Sequence, residues 1–318
     1  MRFEHVVKRY GKLTVVDDVC ASIAHGTCAV ILGPSGCGKT TLLKTVNRLC
    51  APSSGRVFVD GADVERAEPT ALRRRIGYVI QQVGLFPHMT VAQNVAIVPS
   101  LLGWSKAHSA GRVDELLELV HLDAGSYRAR FPRELSGGQQ QRVGLARALA
   151  ADPPILLMDE PFGSVDAIER EHLQKEMVSL QGRLHKTILF VTHDVDEALR
   201  LADSIIVMRD GRIEQHAAPG ALLQTPANDF VARLVDAHNI LRRLSVIKAW
   251  SAVEAAGDDG LAPPAAQISG DASLQEALAV MLSESVDYLR VVGSDGKNIG
   301  RLSLGGVRSA ASAAAANR

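Results

Sequence analysis

The chain has no long apolar run and no excess of charge of either sign. None of its apolar stretches approaches the roughly 18 to 20 residues that cross a bilayer, and its first residues lack the apolar core of a signal peptide. Lysine and arginine number 35, as do aspartate and glutamate, so the net charge gives no indication that the chain binds nucleic acid or an anionic membrane surface. We therefore expect a protein that stays in the cytoplasm and has no nucleic-acid partner.

Cysteine is scarce, and no pattern of cysteine or histidine suggests a metal site. The four cysteines have no metal-ligand spacing, and the ten histidines include no His-x-x-x-His pair and no Cys/His cluster. Thiols of a cytoplasmic protein are reduced by default. We expect no disulfide and no transition-metal site built by the protein.

What the chain does have is an alternation of short apolar runs and helical patterns, from Met1 to about Asp236. Its 318 residues suffice for one large domain and a smaller appendage, and the alternation is typical of an α/β domain. Residues from about 88 to 133 have helical patterns without strong strand runs, which predicts a helical subdomain. The predicted strands are Thr27–Leu32, Ile155–Met158, Thr187–Val191 and Ser204–Met208.

The C-terminal part has a different pattern. Residues 237–268 are predicted to form a connecting helix and a linker, which is rich in glycine, aspartate and proline at Gly257–Pro264. Residues 269–308 combine a helical pattern at Ala272–Ser283 with predicted strands at Tyr288–Val292 and Asn298–Leu304. The alanine-rich residues 309–318 are predicted to be a flexible tail or a frayed helix. We therefore expect a small α+β piece after the large domain.

A glycine-rich segment after the first buried strand matches the phosphate-loop pattern at every required position. Its glycines allow backbone amides to converge on phosphate oxygens, and the next helix adds the positive end of its dipole. Lys39 supplies a cation to the β- and γ-phosphates, and Thr40 offers a hydroxyl to Mg²⁺. The predicted nucleotide-binding residues of this segment are Gly33, Pro34, Ser35, Gly36, Cys37, Gly38, Lys39, Thr40 and Thr41.

An acidic pair ends the predicted strand Ile155–Met158. Asp159 would hold Mg²⁺ through water, while Glu160, on the other side of the strand end, would polarise an attacking water. Phosphoryl transfer requires mainly positioning and charge neutralisation, so a metal-side acid and a water-side base suffice. We therefore predict hydrolysis of a nucleoside triphosphate, with Lys39 and Glu160 as catalytic residues.

A second glycine pair lies between these two motifs, in Leu135-Ser136-Gly137-Gly138-Gln139. With the following Gln140-Gln141-Arg142, it resembles the signature of ATP-binding-cassette (ABC) ATPases, and it is predicted to begin a helix whose N-terminus favours phosphate. The resemblance implies a P-loop NTPase fold with a helical insertion, ATP and Mg²⁺ as ligands, and a homodimer. In that dimer Ser136, Gly137, Gly138 and Gln139 of one subunit cap the ATP on the phosphate loop of the other.

Four further positions match the family pattern, and the resemblance implies a role for each. Tyr10 would stack on adenine, and His193 would be the switch histidine that contacts the γ-phosphate. Gln81 would contact Mg²⁺ and sense the membrane partner, although the residues alone do not distinguish it from Gln82. Asp166, in a Ser164-Val165-Asp166 segment that resembles the D-loop, would lie at the nucleotide. The predicted metal ligands are then Thr40, Gln81 and Asp159, and the predicted catalytic residues are Lys39, Gln81, Glu160 and His193.

The stretch Ile76–Val91 carries apolar and aromatic residues that suit a groove for a coupling helix of a membrane protein. Together with Asp159–Gly163, Thr192–Ala198 and Pro226–Val231, it resembles ABC importers of quaternary amines: glycine betaine, choline, carnitine and proline betaine. The resemblance implies permease subunits, an extracytoplasmic solute-binding protein and a peripheral place on the cytoplasmic face of the cell membrane. Two alternatives stay open: the ATPase of an importer for methionine, polyamines or sulfonates, and a soluble ABC ATPase not tied to transport.

The C-terminal piece resembles one cystathionine-β-synthase-type (CBS) repeat, through Asp271–Leu274, Val291–Gly296 and Ile299–Leu302. In related proteins such repeats occur in pairs and sense ionic strength or adenine nucleotides. Only one repeat is legible here. The residues leave open whether the piece regulates the ATPase, so that the chain is also a sensor, or is a structural remnant.

Overall fold

The computed structural model describes residues 1–81, 84–163, 165–254 and 266–316. Gln82, Ser164, the predicted linker Gly257–Pro264 and the last two residues of the predicted tail lie outside the described residues. The chain divides into two compact units, residues 1–216 and 217–318. Within the described ranges, no helix combines the length and the apolar character needed to cross a membrane.

Among the described residues, the first unit contains two sheets. An antiparallel sheet has the strand order β2-β1-β4-β5, and a six-stranded sheet has the order β10-β9-β3-β8-β7-β6. In the larger sheet, β3, β6, β7, β8 and β9 pair in parallel, as is usual where helices connect strands. The strands are β1 Arg2–Tyr10, β2 Leu13–Ser22, β3 Cys28–Leu32, β4 Ser54–Val59, β5 Ala62–Asp63, β6 Ile76–Val79, β7 Ile155–Asp159, β8 Thr187–Thr192, β9 Ser204–Arg209 and β10 Arg212–Ala217.

The helices of the first unit follow the strands in the pattern of an α/β domain. They are α1 Lys39–Val46, α2 Pro69–Arg74, α3 Val91–Leu101, α4 Lys106–Leu119, α5 Ala124–Tyr127, α6 Gly137–Leu149, α7 Ala167–Leu184 and α8 Val195–Leu201, with 3₁₀ turns at Val64–Arg66 and Pro132–Glu134. Residues 88–133 contain α3, α4, α5 and a 3₁₀ turn and no strand, in keeping with the helical patterns of that segment.

The predicted strands of the large domain are present, and their ends differ from the prediction by one residue. Strands β3, β8 and β7 are neighbours, with Leu32 opposite Thr192 and Asp159 opposite Val191. Their carboxyl ends therefore share one edge of the sheet, where ligands of open α/β sheets bind. The phosphate loop follows β3, His193 follows β8 and Glu160 follows β7, so the three predicted motifs meet at this edge.

The second unit has its own sheet and its own apolar core. Strand β11 pairs in parallel with β12, which pairs antiparallel with β13, and Leu274, Leu289 and Leu302 are fully buried between the sheet and its helices. The elements are α9 Pro219–Gln224, α10 Asp229–Leu234, α11 Ile240–Val246, a 3₁₀ turn Ala249–Ala252, β11 Gln267–Ser269, α12 Leu274–Glu284, β12 Tyr288–Val292, β13 Asn298–Ser303 and α13 Leu304–Ala316.

Two features of the second unit differ from the sequence-based expectations. The compact unit begins at Ala217, so it includes α9 and α10, which the sequence pattern assigned to the ATPase domain; the functional boundary at Asp236 stays a prediction. The predicted tail continues α13 through Ala316. Alanine has the highest helix propensity, and Val307 and Ala311 of this helix are buried in the core of the unit, so the alanine-rich run extends a helix that packing has already started.

Candidate nucleotide site

The phosphate loop depends on glycine at two positions where its backbone touches its neighbours. A Cβ atom at Gly33 would lie 2.2 Å from the Met208 carbonyl oxygen, and one at Gly38 would lie 2.4 Å from the Val15 carbonyl oxygen. Gly38 also has a φ of 102°, a conformation that glycine adopts readily. Strands β2 and β9 therefore hold the loop by close backbone contact, and at Gly36 the Cβ direction opens into free space that a phosphate could fill.

Lys39 lies across this loop. Its side chain is 5% exposed, and its ammonium group donates hydrogen bonds to the carbonyl oxygens of Gly33 at 2.7 Å and Pro34 at 2.9 Å. Pro34, Ser35 and Gly36 are exposed on the outer side of the loop, whereas Cys37 is buried and burial raises the pKa of its thiol. The predicted cation is therefore at the loop, and the Cys37 thiol is held in its neutral form.

The predicted metal ligands Thr40 and Asp159 are in direct contact. The Thr40 hydroxyl donates a hydrogen bond of 2.7 Å to the Asp159 carboxylate. Asp159 is 3% exposed; burial raises its pKa, and the Thr40 hydrogen bond opposes that shift. A hydroxyl and a buried carboxylate are hard oxygen ligands of the kind that Mg²⁺ prefers, so these residues fit the ion.

Tyr78 is a site residue that sequence patterns did not reveal. Burial raises the pKa of Tyr78, and the neighbouring negative charge of Asp159 and a hydrogen bond to that carboxylate add to the shift. The contact arises because β6, which carries Tyr78, is the neighbour of β7 in the sheet. Tyr78 therefore lies beside Asp159, on the strand that neighbours β7 on the side away from β8 and β3.

Two predicted catalytic residues, Gln81 and His193, converge on one carboxylate oxygen of a third, Glu160. The Oε2 atom of Glu160 accepts a hydrogen bond of 3.2 Å from the Gln81 amide and lies 3.3 Å from Nδ1 of His193. The backbone amide of Glu160 donates a hydrogen bond of 2.9 Å to the Val191 carbonyl, and Glu160 has a φ of 44°, in the left-handed region. Residues that follow β6 and β8 are thus placed at the side chain, just after β7, that is predicted to act on water.

The signature segment forms an exposed helix N-terminus. Ser136 is the N-cap of α6: its hydroxyl accepts a hydrogen bond from the Gln139 amide, and the Gln139 side chain accepts one from the Ser136 amide. Ser136 and Gly137 are exposed and Gly138 is buried. The Gln139 side chain also donates to the Tyr127 hydroxyl, so the segment is anchored in the helical part of the unit, and its free end presents backbone amides to solvent.

Tyr10 and Asp166 are both exposed. The Tyr10 hydroxyl contacts the Cys50 thiol at 3.2 Å, and the Lys8 ammonium lies 4.9 Å from the centre of its ring. Asp166 precedes α7, and its carbonyl accepts the amide of Arg170 at 2.9 Å. These two predicted residues do not contact the Glu160 group through any hydrogen bond that the described residues show, so their roles at the nucleotide stay predictions.

The segment after Gln81 exposes an aromatic residue on a rigid turn. Asn94, which is fully buried, donates to the carbonyls of Phe86, Met89 and Thr90, and its side-chain oxygen accepts the Phe86 amide. Phe86 itself is 43% exposed. An open groove of about 410 Å³ lies on the adjacent helices α3 and α4. Within the described part of the predicted stretch Ile76–Val91, Phe86 is the large apolar side chain that is exposed, and the groove lies outside that stretch, so a docking surface stays a prediction.

One further group of metal-binding residue types is brought together by the fold. Ligand atoms of His5, Asp18 and Cys20 lie within 4.8 Å of one another on β1 and β2. Sequence spacing did not reveal this group because the residues lie on two paired strands. All three are exposed, and His5 Nδ1 already contacts Asp18 at 2.8 Å, so an ordinary surface pair accounts for the arrangement.

Comparisons with known proteins agree with this site. The profile of the family described as ABC transporter matches residues 16–163. The chain is 47% identical to the osmoprotectant import ATP-binding protein OsmV of Salmonella typhimurium, over 93% of this chain and 76% of that protein. It is 46% identical to the choline transport ATP-binding protein OpuBA of Bacillus subtilis, over 93% and 76%. It is 42% identical to the glycine betaine uptake system ATP-binding protein YehX of Escherichia coli, over 95% and 97%.

Solved structures give the same result for the fold. A dimeric ATP-binding cassette, MJ0796, bound to ADP and Pi in a post-hydrolysis state, superposes with a TM-score of 0.62 at 32% identity, over 69% of this chain and 98% of that one. The cbiO1 subunit of an ABC transporter complex from Clostridium perfringens superposes with a TM-score of 0.65 at 28% identity, over 74% and 93%.

Proposed function

The chain belongs to the ABC transporter family, and on that premise we propose that it is the ATPase subunit that energises an importer of quaternary-amine osmoprotectants. The observation that carries the ATPase activity is the convergence of Gln81 and His193 on Glu160, beside a phosphate loop and its metal ligands. The observation that carries the solute class is the set of relatives, which are named for osmoprotectant, choline and glycine betaine transport.

The extent of the matches favours quaternary amines over polyamines. Relatives named for spermidine/putrescine import are 44% identical but align with 241 residues, or 76% of this chain. The osmoprotectant relatives align over 293 to 306 residues, which requires a match beyond the cassette. The C-terminal unit is thus shared with the osmoprotectant group, and we propose that it is the CBS-like piece that the sequence indicates.

The phosphate loop binds the triphosphate of ATP. Its backbone amides and the N-terminus of α1 face the phosphates, and Lys39 exchanges its bonds to the Gly33 and Pro34 carbonyls for bonds to phosphate oxygens. Thr40, Asp159 and Gln81 would hold Mg²⁺, which neutralises phosphate charge when it is bound. Tyr78 keeps the Asp159 carboxylate oriented, and Tyr10 would stack on the adenine.

Glu160 orients and polarises the attacking water. One oxygen of its carboxylate, Oε2, accepts a hydrogen bond from Gln81 and lies next to His193. Because the backbone of Glu160 is tied to Val191, the carboxylate is held in place before the nucleotide arrives. Such positioning is the main contribution that a protein makes to phosphoryl transfer. His193 would contact the γ-phosphate and complete the site.

We propose that the active form is a homodimer in which Ser136, Gly137, Gly138 and Gln139 cap the ATP of the partner subunit. The exposed N-terminus of α6 supports this role, because free amides and the helix dipole favour an anion. The similar cassette MJ0796 forms a dimer with ADP and Pi bound. Asp166, also exposed at the start of α7, would lie at the same interface.

We propose that the surface around Phe86 and the groove on α3 and α4 receive a helix of a membrane-spanning permease. An exposed aromatic side chain on a backbone held by four hydrogen bonds is a typical anchor for such contacts. Gln81 lies a few residues before Phe86 in the chain and contacts Glu160, so it would transmit the binding of the permease to Glu160. The complete system would include an extracytoplasmic solute-binding protein, and this subunit would be peripheral on the cytoplasmic face of the membrane.

Replacing Asn94 with aspartate tests the docking surface. At this fully buried position the isosteric carboxylate cannot donate to the carbonyls of Phe86, Met89 and Thr90 and places its charge against them, and a buried charged oxygen without a donor costs about 1 to 3 kcal/mol or more. We expect co-purification with the permease and solute uptake to fall by about tenfold or more. Asn298→Asp, at an exposed position on β13 where the side-chain oxygen accepts the Gly300 amide, serves as the matched control. Normal permease recovery with Asn94→Asp would contradict the assignment.

The solute class is tested by uptake of labelled compounds. In cells from which the chain has been deleted, uptake of glycine betaine, choline or carnitine at high osmolarity should be lost, and uptake of spermidine should be unchanged. The wild-type chain should restore uptake, whereas the Glu160→Gln variant should not. Loss of spermidine uptake with normal quaternary-amine uptake would assign the chain to the other importer class.

A further inference from the structure

A buried carboxylate supports the loop that carries His193. Glu197, on α8, is 4% exposed, and its Oε2 atom accepts a hydrogen bond of 2.6 Å from the Thr192 hydroxyl. That hydroxyl in turn accepts the backbone amide of Asp194 at 3.0 Å. The residues on both sides of His193 are therefore connected to Glu197 through one hydroxyl group.

The same carboxylate connects the loop to helix α7. Gln174 of α7 is 6% exposed, and its amide donates a hydrogen bond of 3.2 Å to Oε1 of Glu197. The side-chain oxygen of Gln174 accepts a hydrogen bond of 2.9 Å from the Arg200 guanidinium, which fixes the orientation of the Gln174 side-chain amide. Donors and acceptors thus alternate along a chain from Arg200 through Gln174 and Glu197 to Thr192.

One turn earlier, α7 reaches the loop a second time. Arg170 donates a hydrogen bond of 3.1 Å to the carbonyl of Val165, next to Asp166, and its guanidinium lies 3.9 Å from the Asp194 carboxylate. Arg170 therefore connects Val165, which lies just before α7, with Asp194, which follows His193. The two contacts of α7, at Arg170 and at Gln174, lie on one face of the helix because the residues are four apart.

We propose that Glu197, supported by Gln174, and Arg170 are positioning residues that set His193 against Glu160 and make its position depend on the segment Val165–Asp166. The inference rests on the proposed ATPase function and extends it. His193 is exposed over 56% of its side chain, so packing does not hold it, and its placement depends on the backbone of residues 192–194. A movement of Val165–Asp166 at the dimer interface would reach that backbone through α7.

A purely structural role does not account for a carboxylate at this position. Burial of a charged group is costly, and an apolar pair of similar volume is often at least as stable. A network of fixed donors and acceptors instead selects one geometry for the loop. The Glu197 carboxylate accepts hydrogen bonds from two different elements, β8 and α7, and these bonds fix how the two elements are aligned. A hydrophobic contact would join the same elements without fixing their alignment.

An exchange of Glu197 and Gln174 tests the network. In Glu197→Gln, the side-chain amide donor must face either the Gln174 amide, which is also a donor, or the Thr192 hydroxyl, which can accept it only by leaving its own proton without the acceptor that Glu197 provides. The alternation is broken although the volume is unchanged. In the double variant Glu197→Gln with Gln174→Glu, the glutamine introduced on α8 can accept from Thr192 and donate to the carboxylate introduced on α7, which also accepts from Arg200. The exchange restores every donor–acceptor pair, so the second change should rescue the first.

The measurements are steady-state ATP hydrolysis, the affinity for a fluorescent ATP analogue and thermal unfolding. We expect Glu197→Gln to lower kcat by about tenfold or more through displacement of His193, with analogue affinity within about twofold of the wild type, and the double variant to recover most of kcat. Unchanged kcat in Glu197→Gln, or no recovery in a double variant that unfolds at the wild-type temperature, would overturn the inference. A wild-type protein without ATP hydrolysis would contradict the proposed function as well.

Discussion

Replacing Glu160 with glutamine is expected to lower ATP turnover by about 100-fold or more, the usual contribution of a positioned general base. Glutamine has the same shape, so it can keep one contact with Gln81, but it cannot polarise water as a carboxylate does. Binding groups at the phosphate loop are untouched, because Lys39 and Thr40 bond to other atoms. ATP should therefore bind with near-normal affinity and stay unhydrolysed, and the protein should accumulate in the closed, ATP-bound dimer.

The control for this variant is Glu115→Gln. Glu115 lies on α4, its side chain is 63% exposed, and it pairs with Arg112 at the surface, where ion pairs contribute little to stability. Turnover measured by phosphate release should be near wild type in the control and nearly absent in Glu160→Gln. Steady hydrolysis at a near-normal rate in Glu160→Gln would remove Glu160 from the role of base.

The second large effect is expected for Ser136→Arg. The side chain of Ser136 caps α6 at an exposed helix end, and an arginine there fills the space that the partner's phosphates would occupy. Loss of preorganised anion donors costs about 100- to 1,000-fold in turnover in other active sites. We expect a loss of that order, while each monomer still binds a fluorescent ATP analogue at its own phosphate loop.

The effect of losing a helix cap must be separated from the effect of losing the contact between Ser136 and the ATP of the partner subunit. Ser105 is the N-cap of α4 and is also exposed, so Ser105→Arg removes an equivalent cap, at a cost of about 1 kcal/mol, away from the signature segment. ATP hydrolysis by the isolated protein should survive Ser105→Arg and fail in Ser136→Arg. Turnover that persisted in Ser136→Arg would contradict the capping role.

The parts of the site that were predictable from sequence are those whose residues lie together in the chain. The phosphate loop and the pair Asp159–Glu160 each follow a buried strand, and parallel strands bring such ends to one edge of a sheet. The family resemblance added Gln81 and His193, and the structure places both at Glu160. The resemblance to quaternary-amine importers is confirmed by the relatives that the chain matches.

The parts that were not predictable depend on contacts between distant segments. Tyr78 reaches Asp159 only because β6 and β7 are neighbours, and the Glu197 network requires α7 to pack beside α8. Asn94 is a polar residue in a helix, and its four bonds to the preceding turn have no sequence signature. The alanine-rich C-terminus was ambiguous for another reason: alanine favours a helix, but only the buried Val307 and Ala311 decide that the helix persists.

The most direct test of the composite ATP site is the molecular mass of the Glu160→Gln variant, measured by size-exclusion chromatography with light scattering. Without nucleotide and with ATP in the absence of magnesium, the mass should be that of one chain, 34.0 kDa. With saturating ATP and magnesium it should double, and adding Ser136→Arg to the same chain should return it to that of a monomer. A mass that stays monomeric with ATP and magnesium, or a dimer that Ser136→Arg leaves intact, would contradict a site completed by two chains.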